Sequence, residues 1–156
     1  MAKNILIAFD DSENAMRAVD FVACHLVRDA SVTLYSILQD TESMCAMNSP
    51  ELTPYFKTQQ QSFCSLEDKK HQIIEKALKV AQNRLIEAGF DQERVNVKAK
   101  KSANGVAGEI IREADSGYDV VVIGKRGTSA VQEFFFGSVS QKVMQGVKIA
   151  SVLSVI

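Results

Sequence analysis

Short apolar runs of strand length recur along the chain, separated by longer segments whose apolar residues return every three or four positions. Asn4-Ile5-Leu6-Ile7-Ala8-Phe9 is the first run, stopped by Asp10-Asp11-Ser12, which can cap a following helix. Ala15, Val19, Val22 and Leu26 then recur at helical spacing through Arg28. Val32 to Leu38, rich in β-branched and aromatic residues, is the second strand. A polar stretch from Gln39 to about Ser65 holds both prolines, Pro50 and Pro54, and reads as a long loop. Leu66 to Ala88 is predicted as a helix with Ile73, Ala77, Val80, Ala81 and Ile86 on its buried face, ended by Gly89. Val95 to Ala99 alternates as a half-buried edge strand does. A short helix over 105–116 ends at Gly117. Val120-Val121-Val122-Ile123 is apolar throughout, as expected of a central strand covered on both faces. Ser138 to Gln145 is a last helix and Ser151 to Ile156 a last strand.

Strands alternating with helices imply one α/β domain over 1–156, with a mainly parallel sheet, helices on both faces and right-handed crossovers. Ligands of such sheets bind beyond the carboxyl ends of the strands, where the strand order reverses. The turns after the strands are therefore where chemistry is expected.

Charge narrows the field. Eighteen basic and nineteen acidic residues leave a formal net charge of -1, which argues against a polyphosphate-coating nucleic-acid surface or a polybasic membrane anchor. No stretch approaches the ~20 apolar residues of a membrane span, and no targeting segment stands out, so a cytoplasmic protein is expected. The three cysteines, Cys24, Cys45 and Cys64, are odd in number and form no C-x-x-C pair. Reduced thiols are the expectation, with a Cys45–Cys64 bridge within the long loop as the alternative. His25 and His71 are far apart and read as ordinary histidines. Lys98, Lys100 and Lys101 read as a solvated strand edge, with steering of an anionic ligand as the alternative, and Phe134-Phe135-Phe136 as an anchor into the core or a dimer contact, with stacking on a base as the alternative.

The glycine pattern carries the most specific signal. Gly124-Lys125-Arg126-Gly127 follows the fourth strand, and nine residues later Gly137-Ser138 opens a helix. Glycines let backbone amides approach an anion, and the free N–H groups of a helix start bind phosphate oxygens. Here the chain resembles the universal stress proteins. The pattern G-x2-G-x9-G-S is the signature of that family's ATP-binding branch, and the opening Ile5 to Glu13 matches the family's first strand and turn. The resemblance implies a five-stranded parallel sheet in the order 3-2-1-4-5. It also implies a nucleotide site. Ala8, Phe9 and Asp10 would face the nucleoside, with Asp10 accepting from ribose or adenine, and Ile37 would contact adenine. Ile123, Gly124, Arg126 and Gly127 would approach ribose and phosphates. Gly137, Ser138, Val139 and Ser140 would cradle the phosphates.

Departures from the family pattern are visible. Asp11 stands where glycine is common, adding a carboxylate that can weaken phosphate binding or help hold Mg²⁺. In the family the last strand pairs across a dimer axis, and Val152 to Ile156 is apolar enough to form such a homodimer. The function implied is an ATP-binding regulatory switch in a stress response, with slow or no hydrolysis. The rival readings are a nucleotide-independent dimeric adaptor and an ATP-using enzyme of the adenine-nucleotide α-hydrolase group. The enzyme reading is weakened by Phe9-Asp10-Asp11-Ser12, which lacks the glycines of that group's S-G-G-x-D-S loop. The stretch 39–65 leaves the sheet on the side of the expected site, so ligand-dependent closure over that site is a further expectation.

Overall fold

A computed structural model describes residues 3–47, 53–102, 104–125 and 138–156. The strands are β1 (Asn4–Ala8), β2 (Ser31–Gln39), β3 (Val95–Ser102), β4 (Val120–Gly124) and β5 (Ser151–Val155). The helices are α1 (Glu13–His25), α2 (Glu42–Cys45), α3 (Pro54–Glu87), α4 (Val106–Ala114) and α5 (Ser138–Gly146). All strand pairings are parallel, in the order β3-β2-β1-β4-β5. This is the α/β sheet expected, and its order reverses between β1 and β4.

The apolar runs form central strands because both of their faces are covered. Ile5, Ile7, Val32, Leu34 and Val122 enter a core beneath α1 and α3. Leu6, Tyr35, Val121 and Ile123 point the other way, into a core beneath α4 and α5. Side-chain alternation along each strand thus feeds two cores at once. The starts and stops follow local chemistry. The Ser12 side chain accepts from the Ala15 N–H at 3.2 Å and caps α1. Gly89, at φ +102°, takes the left-handed position just past the end of α3.

Three expectations are corrected. The stretch 39–65 is not simply a long loop, since α2 lies within it and α3 begins at Pro54. Thr53 caps the Phe56 N–H, and Pro54 occupies the first helical turn, where its missing N–H costs nothing. The proline read as a loop marker is a helix starter. Second, α3 buries Ile74, Leu78, Ala81 and Leu85, whereas Ile73 and Val80 are about half exposed. Both stripes have helical spacing, and docking against α1 and the sheet selects between them. Third, Cys45 and Cys64 form a disulfide, leaving Cys24 as the free, exposed thiol. The extra turns of α3 bring Cys64 alongside α2, realising the bridge held as the alternative to reduced thiols.

The lysines of β3 lie on an exposed edge strand, as expected, and are also paired. Lys98 pairs with Glu113 at 2.7 Å, Lys100 with Glu109 at 2.8 Å, and Lys101 with Glu42. Glu109 is buried and also accepts from Ser102 Oγ and Arg112. The Lys100 hydrogen bond, then that of Ser102, holds its carboxyl below the usual range. The Lys98 and Lys100 pairs fasten α4 to the outer strand, and the Lys101 pair ties α2 to it.

Candidate functional site

The site is built where β1 and β4 lie side by side and their connections leave in opposite directions. After β1 the chain turns sharply. Asp10 Oδ1 accepts from the Ser12 N–H at 2.9 Å, while the Phe9 N–H donates to the Tyr35 carbonyl at 2.8 Å. The Asp10 carboxylate therefore shapes the turn that opens α1. After β4 the Lys125 N–H donates to the Val155 carbonyl at 2.8 Å. Ser140 Oγ donates to the Gly124 carbonyl at 3.3 Å and ties the first turn of α5 to the end of β4.

Gly124 is required by packing before any ligand is considered. A Cβ there would sit 2.3 Å from the Asn14 carbonyl oxygen in the first turn of α1. The absence of a side chain lets α1 cross close over the strand end.

Between these turns opens a cleft of about 200 Å³. Ala8, Phe9, Asp10, Ile37, Ile123, Gly124, Val139 and Ser140, all named from the sequence, line it together. Ser138 starts α5 but is exposed and outside the lining. Arg126, Gly127 and Gly137 lie outside the described residues, as do Phe134, Phe135 and Phe136. Sequence reasoning missed Tyr35 on β2, Lys70 and Ile74 on α3, and Val106 and Ile110 on α4. Ile37, two residues after Tyr35, was the available hint for β2. The α3 and α4 residues carry no local signal, because only the packed helices bring them to the strand ends.

The cleft is divided chemically. Ala8, Tyr35, Ile37, Val106 and Ile110 make an apolar end, while Asp10, Asp11, Ser12, Lys70 and Ser140 supply polar groups. Tyr35 is buried and its hydroxyl has no hydrogen-bond partner among the described residues. Burial, then the Glu113 and Glu109 carboxylates, push its phenol up to about 12, so it stays neutral. The first N–H groups of α5 have no acceptor within the helix, the arrangement that binds an anion at a helix start.

Among the described residues, no group of three or more His, Cys, Asp or Glu is placed to hold a metal ion. Among them, too, no helix is long and apolar enough to cross a membrane.

Comparison with known proteins agrees with the fold. The model of the universal stress protein family matches residues 1–155. Universal stress protein YxiE of Bacillus subtilis is 28% identical over 150 residues, covering 93% of each chain. The solved universal stress protein from Archaeoglobus fulgidus superposes with a TM-score of 0.69 at 18% identity, over 100% of this chain and 99% of that one. A family protein from Arabidopsis thaliana with AMP bound has a TM-score of 0.61 at 18% identity, over 98% and 90%. With the sheet order, the switch-point cleft and a family match across nearly its whole length, the chain belongs to the universal stress protein family.

Proposed function

We propose that the protein is a nucleotide-dependent switch that binds ATP in the cleft between β1 and β4, with slow or no hydrolysis. The observation that carries this reading is the convergence of eight sequence-named residues, from β1 and the turn after it, β2, β4 and α5, on one cleft at the strand ends. Adenine fits the apolar end beside Ile37 and Ile110. Asp10 accepts from ribose hydroxyls, since its charge suits a donor and repels phosphate. The phosphates run toward the first turn of α5 and the Gly124 to Ser140 segment. A relative with AMP bound supports an adenine nucleotide as the ligand class. Mg²⁺ enters with the phosphates, and Asp11, a carboxylate of the cleft wall, is placed to help hold it.

The same reading makes the protein a homodimer through β5, an edge strand whose run Val152 to Ile156 includes the exposed Ile156. Light scattering on the intact chain at tens of micromolar should give twice the monomer mass, and a monomer there refutes the dimer.

Ligand-linked stability tests the switch. At 100-fold above its dissociation constant a ligand adds about 2.7 kcal/mol. At roughly 2–4 °C per kcal/mol, Mg-ATP should raise Tm by about 5–10 °C. Ile37→Asp, which puts a carboxylate in the apolar end, should remove the shift. No shift at millimolar ATP, in protein first shown to be nucleotide-free, would sink the reading in favour of a nucleotide-independent adaptor.

A further inference from the structure

We propose that Cys45 and Cys64 are a reversible redox site whose disulfide clamps the first turns of α3 beside the cleft. The bond joins α2 to α3 across 19 residues of sequence. Both ends are only partly buried, so small oxidants and reductants can reach them.

The clamp matters because little else holds this region. The buried residues of α3 begin at Ile74, and α2 buries none. A helix of four residues does not persist without tertiary support. Among the described residues, the polar side-chain ties here are the Gln60 side-chain amide, which donates to the Met44 and Met47 carbonyls, and the exposed Lys101–Glu42 pair. Meanwhile Met44, Met47, Tyr55, Phe56 and Leu66 are exposed, so among the described residues no apolar core replaces the covalent link. Regions with few buried contacts open at low free-energy cost.

Position couples the clamp to the cleft. Cys64 is six residues, less than two helical turns, before the cleft-lining Lys70 on the same helix. On the other arm, Cys45 follows cleft-lining Ile37 through the end of β2 and α2. The disulfide thus closes a strap from one cleft wall to the other. This coupling rests on the nucleotide reading of the cleft, whereas the clamp itself does not.

The chemistry requires an oxidant, here a hydroperoxide. One thiolate sulfur attacks a peroxide oxygen and the O–O bond breaks. The cysteine becomes a sulfenic acid and hydroxide leaves as water after protonation. The second thiolate attacks the sulfenic sulfur, the S–O bond breaks, and a second water leaves. Two thiols lose two electrons and two protons in all, and hydrogen peroxide is reduced to two waters. A dithiol reductant reverses the bond by two thiol–disulfide exchanges.

The test uses the intact chain carrying Cys24→Ser, so that the pair holds its only thiols. After hydrogen peroxide, mass spectrometry with N-ethylmaleimide should show a chain lighter by two hydrogens that takes no label. After dithiothreitol it should take two labels. Amide hydrogen exchange over 53–70, without nucleotide, should quicken about tenfold or more on reduction, and Cys45→Ser with Cys64→Ser should match the reduced form. Two labels after peroxide, or equal exchange in both redox forms, overturns the proposal. ATP affinity, read by calorimetry, should fall on reduction. Faster exchange with unchanged, measurable ATP affinity upholds the clamp and overturns its coupling to the cleft. Redox-dependent exchange with no ATP binding at all instead refutes the nucleotide reading and leaves the clamp standing.

Discussion

Replacing Gly124 with alanine tests the claim that α1 closes onto the end of β4. The added methyl carbon would lie 2.3 Å from the Asn14 carbonyl oxygen and 2.5 Å from its carbonyl carbon. Ordinary contacts between such atoms are about 3.5 Å, so the overlap exceeds an ångström. The obstacle is helix backbone, which no side-chain rotation can clear. Either α1 lifts from the sheet or β4 bends, and overpacking of this kind costs about 1–3 kcal/mol. For a chain of this size that lowers Tm by about 2–12 °C. The loss should appear in nucleotide-free protein, because the clash precedes any ligand. Gly108→Ala supplies the matched control. Gly108 lies inside α4, and an added Cβ there meets nothing within 4 Å. It should gain about 0.5–1 kcal/mol from improved helix propensity, a change of opposite sign. Thermal melts followed by circular dichroism distinguish the two. A Gly124→Ala protein melting at or above the wild type would refute the close approach.

The assignment of faces on α3 predicts that Leu78→Ala costs about 2–5 kcal/mol in urea unfolding, while Ile73→Ala costs well under about 1 kcal/mol; comparable losses would overturn it. Glu109 makes a pH prediction. Its folded pKa lies below the ordinary 4.5, so its contribution to stability is present above that value and is lost as pH falls through the lower folded value. The Tm gap between wild type and Glu109→Gln should therefore be widest near neutrality and shrink below about pH 4.5; a gap independent of pH would show that the carboxylate charge contributes nothing.

Much of the architecture was written in local pattern. Val120 to Ile123 reads as a doubly covered strand because four consecutive apolar residues can be buried only if both faces of the sheet are packed. Ser12 and Gly89 mark helix ends through hydrogen bonds and torsions within a few residues of themselves. The lining residues at the ends of β1 and β4, Ala8 to Asp10 with Ile123 and Gly124, were likewise named from the sequence, because strand ends are what the chain itself announces. What needed tertiary structure was every choice among locally equivalent options. Ile73 and Ile74 are adjacent and equally apolar, yet only the docking of α3 decides that Ile74 is buried. Thr53-Pro54 can open a helix or continue a loop, and the favourable start is realised in a helix anchored further on by Leu78 and Leu85. Cys45 with Cys64 and Lys100 with Glu109 meet, and Lys70 and Ile110 line one cleft, only because separate elements converge. Pattern and capping act over a turn or two of chain and so belong to the sequence. Pairing and the second wall of the cleft depend on distances through space, which only the packed sheet and its helices set.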